Sequence, residues 1–162
     1  MGEWLLPWAL LLEQSGVGTA VRTSTWIYPA AEIGHLIGLG LLVGTAVAFD
    51  FRLLGAARGL PVNTLAGHLL PIARAGFGVS VVTGALLFAA NATALLTSVF
   101  AVKLMAIALG VLNASLFDRG VFRSVGTWNV DASPPGGARA AAVVSLLSWL
   151  VALACGRLLA YV

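Results

Sequence analysis

Of the 162 residues, 60% are hydrophobic and only 9% charged, with a net charge of +3 and a mean hydropathy of +1.00. A water-soluble domain carries about 25% charged residues, so the composition excludes one and predicts a polytopic membrane protein. The pI near 9.8 does not signal nucleic-acid binding, because the arginines sit at helix ends and no basic stripe or aromatic-basic motif is present.

The chain opens with WLLPWALLLEQSG, a stretch too short to span a membrane, with Pro7 inside it and Glu3 and Glu13 at its ends. A secretory signal needs a basic start and a small-residue cleavage site, and Glu3 stands where the positive charge belongs. Residues 1–26 are therefore expected to form an interfacial segment, a short helix held in the headgroup layer by Trp4 and Trp8.

Residues 27–162 contain four apolar runs, at about 27–51, 65–90, 95–117 and 139–161. Each approaches or exceeds the ~20 helical residues that cross about 30 Å of hydrocarbon. Barrel strands need only about 10 residues and alternate in polarity, which these runs do not. The expected fold class is all-α, an integral membrane four-helix bundle in which neighbours joined by short links pack antiparallel. Arg52, Arg58, Arg119, Arg123 and Arg139 gather at the first and third links, against Arg22 and Arg157 at the opposite side. The positive-inside rule puts those links in the cytoplasm and both termini outside. The third link, RGVFRSVGTWNVDASPPGGAR, is expected to be a Pro/Gly-punctuated loop whose Val121, Phe122 and Trp128 lie back on the membrane surface.

Polar residues inside the runs are the candidates for function. Lys103 is the only lysine, in the middle of LLTSVFAVKLMAIALGVLNASLF. An unpaired ammonium at that depth costs roughly 3 kcal/mol or more, which makes Lys103 the candidate catalytic residue. His35 and Lys103 each lie about eight residues into runs that enter from the same side, about 12 Å deep at 1.5 Å per residue. Glu32, three residues before His35, shares its helical face. An outer cluster of Glu32, His35 and Lys103 is thus available, and its purely structural version is a Glu32–Lys103 salt bridge.

The second run enters from the other side, which places His68 near that surface and Arg74 about 13 Å in. Asp50 and Asp118 are natural partners there for Arg74, Arg52 and Arg119. These charges read either as topology-fixing helix ends or, for Arg74, as a contact to an anion such as a haem propionate. Pro71 is expected to bend the second run near Arg74. Gly34, Gly38, Gly40 and Gly44 in the first run, with Gly76, Gly78 and Gly84 in the second, allow either close helix approach or room for a flat macrocycle. Cys155 is the single cysteine, which excludes an intramolecular disulfide and CxxC chemistry and reads as a small packing residue.

The segments WIYPAAEIGHLIGLGLLVGTAVAFDFRLLG, LPIARAGFGVSVVTGALLF and FAVKLMAIALGVLNASLF, covering about residues 26–117, resemble an uncharacterised family of small four-helix bacterial inner-membrane proteins. More remotely, a His in the first span with a Lys in a later one is similar to the pattern of the four-helix protoporphyrinogen oxidase of bacterial haem synthesis and of CopD-type copper-resistance membrane proteins. The resemblance implies a bacterial inner-membrane location, with His35 and Lys103 as haem- or metal-site residues.

Two functional classes follow. The first is a haem-b-binding redox protein or membrane oxidoreductase, in which His35 supplies an axial imidazole oriented by Glu32 or a backbone carbonyl. Lys103 is then a second ligand, a proton donor or an anchor for a carboxylate, and His68 and Arg74 are further cofactor-binding candidates. The second class is a metal handler, in which Glu32 and His35, at i and i+3, present a carboxylate and an imidazole to one ion such as copper. Only Met1 and Met105 are available as thioethers, whereas a soft Cu(I) site needs sulfur ligands. A structural subunit of a membrane complex ranks third. The partners expected are lipid, haem or a metal, and a second copy of the chain or a membrane redox partner, but not nucleic acid.

Overall fold

A computed structural model describes residues 3–161, and every regular element in them is helical. The helices are α1 (Leu6–Glu13), α2 (Gly16–Thr23), α3 (Ile27–Leu53), α4 (Val62–Ala90), α5 (Ala92–Leu95), α6 (Ser98–Arg119) and α7 (Gly136–Leu158). Four of them, α3, α4, α6 and α7, are long and apolar enough to cross a membrane. The all-α four-helix fold and the multi-pass membrane class follow. Below, the terminal face is the end where α3 begins and α7 finishes; the loop face is the opposite end.

The expected interfacial segment 1–26 is described from Glu3 onward, and its first two residues lie outside the described residues. It is not one helix. Ser15 ends the first stretch and starts the second by accepting a hydrogen bond from the Gly18 amide at 3.1 Å. α2 then packs on α4 so closely that a Cβ on Gly18 would meet the Ala89 carbonyl at 2.6 Å. Arg22 donates to the Ala90 carbonyl at the end of α4, and Glu13 Oε1 accepts from the Thr93 amide and hydroxyl at 3.0 and 2.9 Å. A cation at a helix C-terminus and an anion among free amides are the favoured pairings. Trp4 and Trp8 remain outside this cap, 72% and 69% exposed.

The start of the third span also shifts. Residues 92–95 form the separate α5, and Thr97 caps α6 by accepting from the Phe100 amide at 3.2 Å. Hydropathy cannot see such a cap, which is why the run was expected to begin at about 95. Pro71 lies within α4, which continues from Val62 to Ala90.

The long helices do not all pack in chain order. α3 packs against α4 and α7, and α6 packs against α7. α4 and α6, although consecutive spans, are linked mainly through side chains, by the Phe88–Phe100 stack with centroids 5.1 Å apart and the Arg74–Asp118 pair at 3.9 Å. The expectation that every neighbour in sequence would be a close neighbour in space is corrected here. The tightest contact of the bundle explains the α3–α4 pairing. A Cβ built on Gly76 would lie 2.7 Å from the Gly38 carbonyl oxygen and 2.7 Å from the Leu42 amide nitrogen. Only backbones without side chains approach that closely.

At the loop face, Arg52 is 2% exposed and donates to three carbonyls, those of Leu60 at 2.8 Å, Arg58 at 3.1 Å and Asn129 at 3.1 Å. It ties the 54–61 turn to the third link instead of pairing with a carboxylate. Asn129 also accepts from the Val62 and Asn63 amides, through its backbone and side-chain oxygens respectively. Trp128 is consequently only 5% exposed, inside a core with Phe49, Leu53, Val62 and Phe117, against which Val121 and Phe122 also pack. The expectation that Trp128 lies on the membrane surface is corrected by its place in this core, while Val121 and Phe122 are only partly buried against it. Their burial offers apolar area to the bundle that lipid would otherwise cover, while Asn129 satisfies the exposed amides at the start of α4.

Substituting Gly76 by Ala should lower stability by about 1–3 kcal/mol, the usual cost of overpacking, whereas Gly78→Ala, with open space at its Cβ position, should change it by less than about 0.5 kcal/mol. Reversible unfolding of the purified protein in mixed micelles measures both.

Candidate functional site

The Gly38–Gly76 crossing sets what lies toward the terminal face on each helix: His35 one turn along α3, and Ser80 and Thr83 one and two turns along antiparallel α4. His35 Nδ1 is 3.0 Å from the Ser80 carbonyl oxygen and 3.2 Å from Thr83 Oγ1. The carbonyl can only accept, so Nδ1 carries the proton. Thr83 donates its own hydroxyl hydrogen to the Val79 carbonyl at 2.7 Å, which leaves its oxygen as a second acceptor for the same N–H. The lone pair of the neutral ring is therefore on Nε2. Gly84 passes beside the imidazole, where a Cβ would stand 3.0 Å from Cε1.

Lys103 begins from a different wall. It is five residues into α6, since that helix starts at Ser98, or about 8 Å at 1.5 Å per residue instead of the expected 12 Å. Its stem lies across α7 at Gly156, with Nζ 3.4 Å and Cε 3.7 Å from the place a Cβ would occupy. Cys155, beside Gly156, is buried and free. Lys103 is half-buried and forms no hydrogen bond or ion pair among the described residues. Lys103 thus meets α7, whereas the His35 ring is held by α4.

Glu32 does not complete the triad. It is exposed and makes no ion pair with Lys103 among the described residues, so the Glu32–Lys103 salt bridge is absent. The orienting partner of His35 is instead the Ser80 carbonyl. No grouping of three or more His, Cys, Asp or Glu side chains able to hold a metal ion occurs among the described residues.

Nearer the loop face the structure separates the residues expected together. His68 is exposed. Arg74 pairs with Asp118 and not with Asp50, and the side chains are 69% and 52% exposed. Asp50 is 4% exposed and lines a cavity whose wall also includes Ser145 of α7. The sequence reading missed Ser80, Thr83 and Ser145. Ser80 and Thr83, three residues apart in an apolar run, carried a usable signal: two hydroxyls on one helical face.

Compared with known protein families, with curated proteins and with solved structures, the chain matches none.

Ring nitrogen shifts of labelled His35 in micelles should show a protonated Nδ1 and an unprotonated Nε2 at neutral pH. The opposite tautomer would mean that the Ser80 carbonyl does not hold the ring.

Proposed function

We propose that this chain is a haem-b-binding membrane protein with a redox role, in which His35 Nε2 is an axial ligand. The observation that carries the reading is the Nδ1–H contact to the Ser80 carbonyl at 3.0 Å. An imidazole ligand characteristically donates its other N–H to a carbonyl or carboxylate, which fixes the tautomer and raises its basicity. Gly84, where a Cβ would stand 3.0 Å from Cε1, lets the α4 backbone pass beside the ring without displacing it. Haem, when bound, supplies one-electron chemistry, with a potential tuned by its axial ligands and their hydrogen bonds.

Lys103 acts in this reading as a proton donor or as the anchor for a carboxylate of the cofactor or substrate. Its ammonium has no carboxylate partner among the described residues, so a negatively charged group arriving from outside relieves a real electrostatic cost. In this reading the site lies in the outer half of a bacterial inner membrane with both termini outside, an orientation that the arginine distribution supports. A copper or other metal site receives less support, because Glu32 is exposed and does not converge with His35 on a third ligand.

Protein purified after growth with a haem precursor should be coloured, with a Soret band that His35→Ala reduces by at least about tenfold. Gly84→Ala should lower haem content several-fold by pressing on the ring, and Gly78→Ala should leave it unchanged. Colourless wild-type protein sinks the proposal. Lys103→Met should keep the fold and alter haem content or reduction rate; if content, rate and stability all stay as in wild type, Lys103 has no part in the site.

A further inference from the structure

Toward the loop face, α3, α4, α6 and α7 together enclose a cavity of about 140 Å³. Its walls are mainly apolar, with Phe49, Phe117 and Trp149 among them, and its one deeply buried charge is Asp50. Asp50 Oδ2 has no hydrogen-bond partner among the described residues. A buried carboxylate without a proton or a counter-charge is strongly disfavoured. Among the described residues no cation pairs with it: Arg52 is turned to three carbonyls and Arg74 is 3.9 Å from Asp118.

Either a proton or an entering cation has to meet that charge. A hard metal ion takes about six oxygen ligands, whereas the polar neighbours here are the Ser145 hydroxyl and Asn113, whose amide nitrogen is already given to the Ala141 carbonyl at 2.9 Å. An organic ammonium needs only one carboxylate, gains from aromatic faces, and fills the apolar remainder with its own carbon. A cavity of about 150 Å³ holds a benzene ring, which sets the size of that carbon body. The open side is marked by Arg74 and Asp118, both exposed, both on the cavity wall, and facing each other across the loosely packed α4–α6 boundary.

We propose that this cavity binds a small organic ammonium ion, its charge paired with Asp50 and its apolar body, of about one ring, seated among Phe49, Phe117 and Trp149. The site is independent of the haem reading, since Asp50 is 15 residues along α3 from His35, about 22 Å by helix rise.

Fluorine NMR of 4-fluorobenzylamine at neutral pH, added to the full chain in detergent, tests this directly. Wild-type protein should bind it saturably at one equivalent, Asp50→Asn at least tenfold more weakly, and neutral 4-fluorobenzyl alcohol should show no saturable binding. Ala73→Leu, which fills the cavity wall without touching the carboxylate, should also abolish binding; it decides the matter if Asp50→Asn loses its helical circular dichroism. No saturable binding to wild-type protein overturns the proposal. So does equal affinity in Asp50→Asn, or an alcohol that binds as well as the amine, which would leave Asp50 a protonated acid.

Discussion

The contact of α3 with α4 at Gly38 and Gly76 is the constraint from which the rest of the arrangement follows. Two backbones approach there to distances that a single Cβ on either residue would violate. In lipid, helix association gains little from apolar burial and depends on close packing and polar contacts, so this crossing acts as the fixed point of the bundle. It sets the register that brings Ser80 opposite His35, and with it the tautomer of the imidazole. A slide of one residue along either helix would move the carbonyl by about 1.5 Å and rotate it by about 100°, which the hydrogen bond does not survive.

The second organising element is Arg52. Its three hydrogen bonds run to backbone carbonyls of the first turn and of the third link, and they draw the segment around Trp128 into the core. The loop face is thereby closed by protein, while the boundary between α4 and α6 is held by one aromatic stack and one long ion pair. A cavity with its floor at Asp50 and its rim at Arg74 and Asp118 is the geometric result of a bundle tight at one seam and loose at another. The two polar regions of the molecule therefore differ in kind. At His35 the ring is fixed by the Ser80 carbonyl, whereas at Asp50 a carboxylate oxygen has no partner among the described residues.

The class of the protein, its four spans and the placement of His35 and Lys103 within those spans were legible in the sequence, because they depend on quantities that accumulate along one helix. Mean hydropathy, run length and the position of an ionisable residue within a run need no partner. Charge pairing was not legible. Asp50, Arg52, Arg74 and Asp118 all lie in the loop-face half of the spans, and that alone allowed several pairings; the structure joins Arg74 to Asp118, gives Arg52 to carbonyls and leaves Asp50 without an ion pair among the described residues. Glu32 failed for a related reason. Sharing a helical face with His35 fixed its position relative to that residue, but not which way that face turned toward α6.

By itself, then, the chain determined a membrane-spanning helical bundle with an ammonium and an imidazole in its apolar spans, since the cost of polar groups in hydrocarbon is a local property of each segment. Only the tertiary structure decided that Ser80 holds His35, that Trp128 is core and that Asp50 faces a cavity. Those outcomes depend on the rotation and register of one helix against another, set by contacts between glycines 38 residues apart, from Gly38 to Gly76, and no periodicity within a single run encodes them.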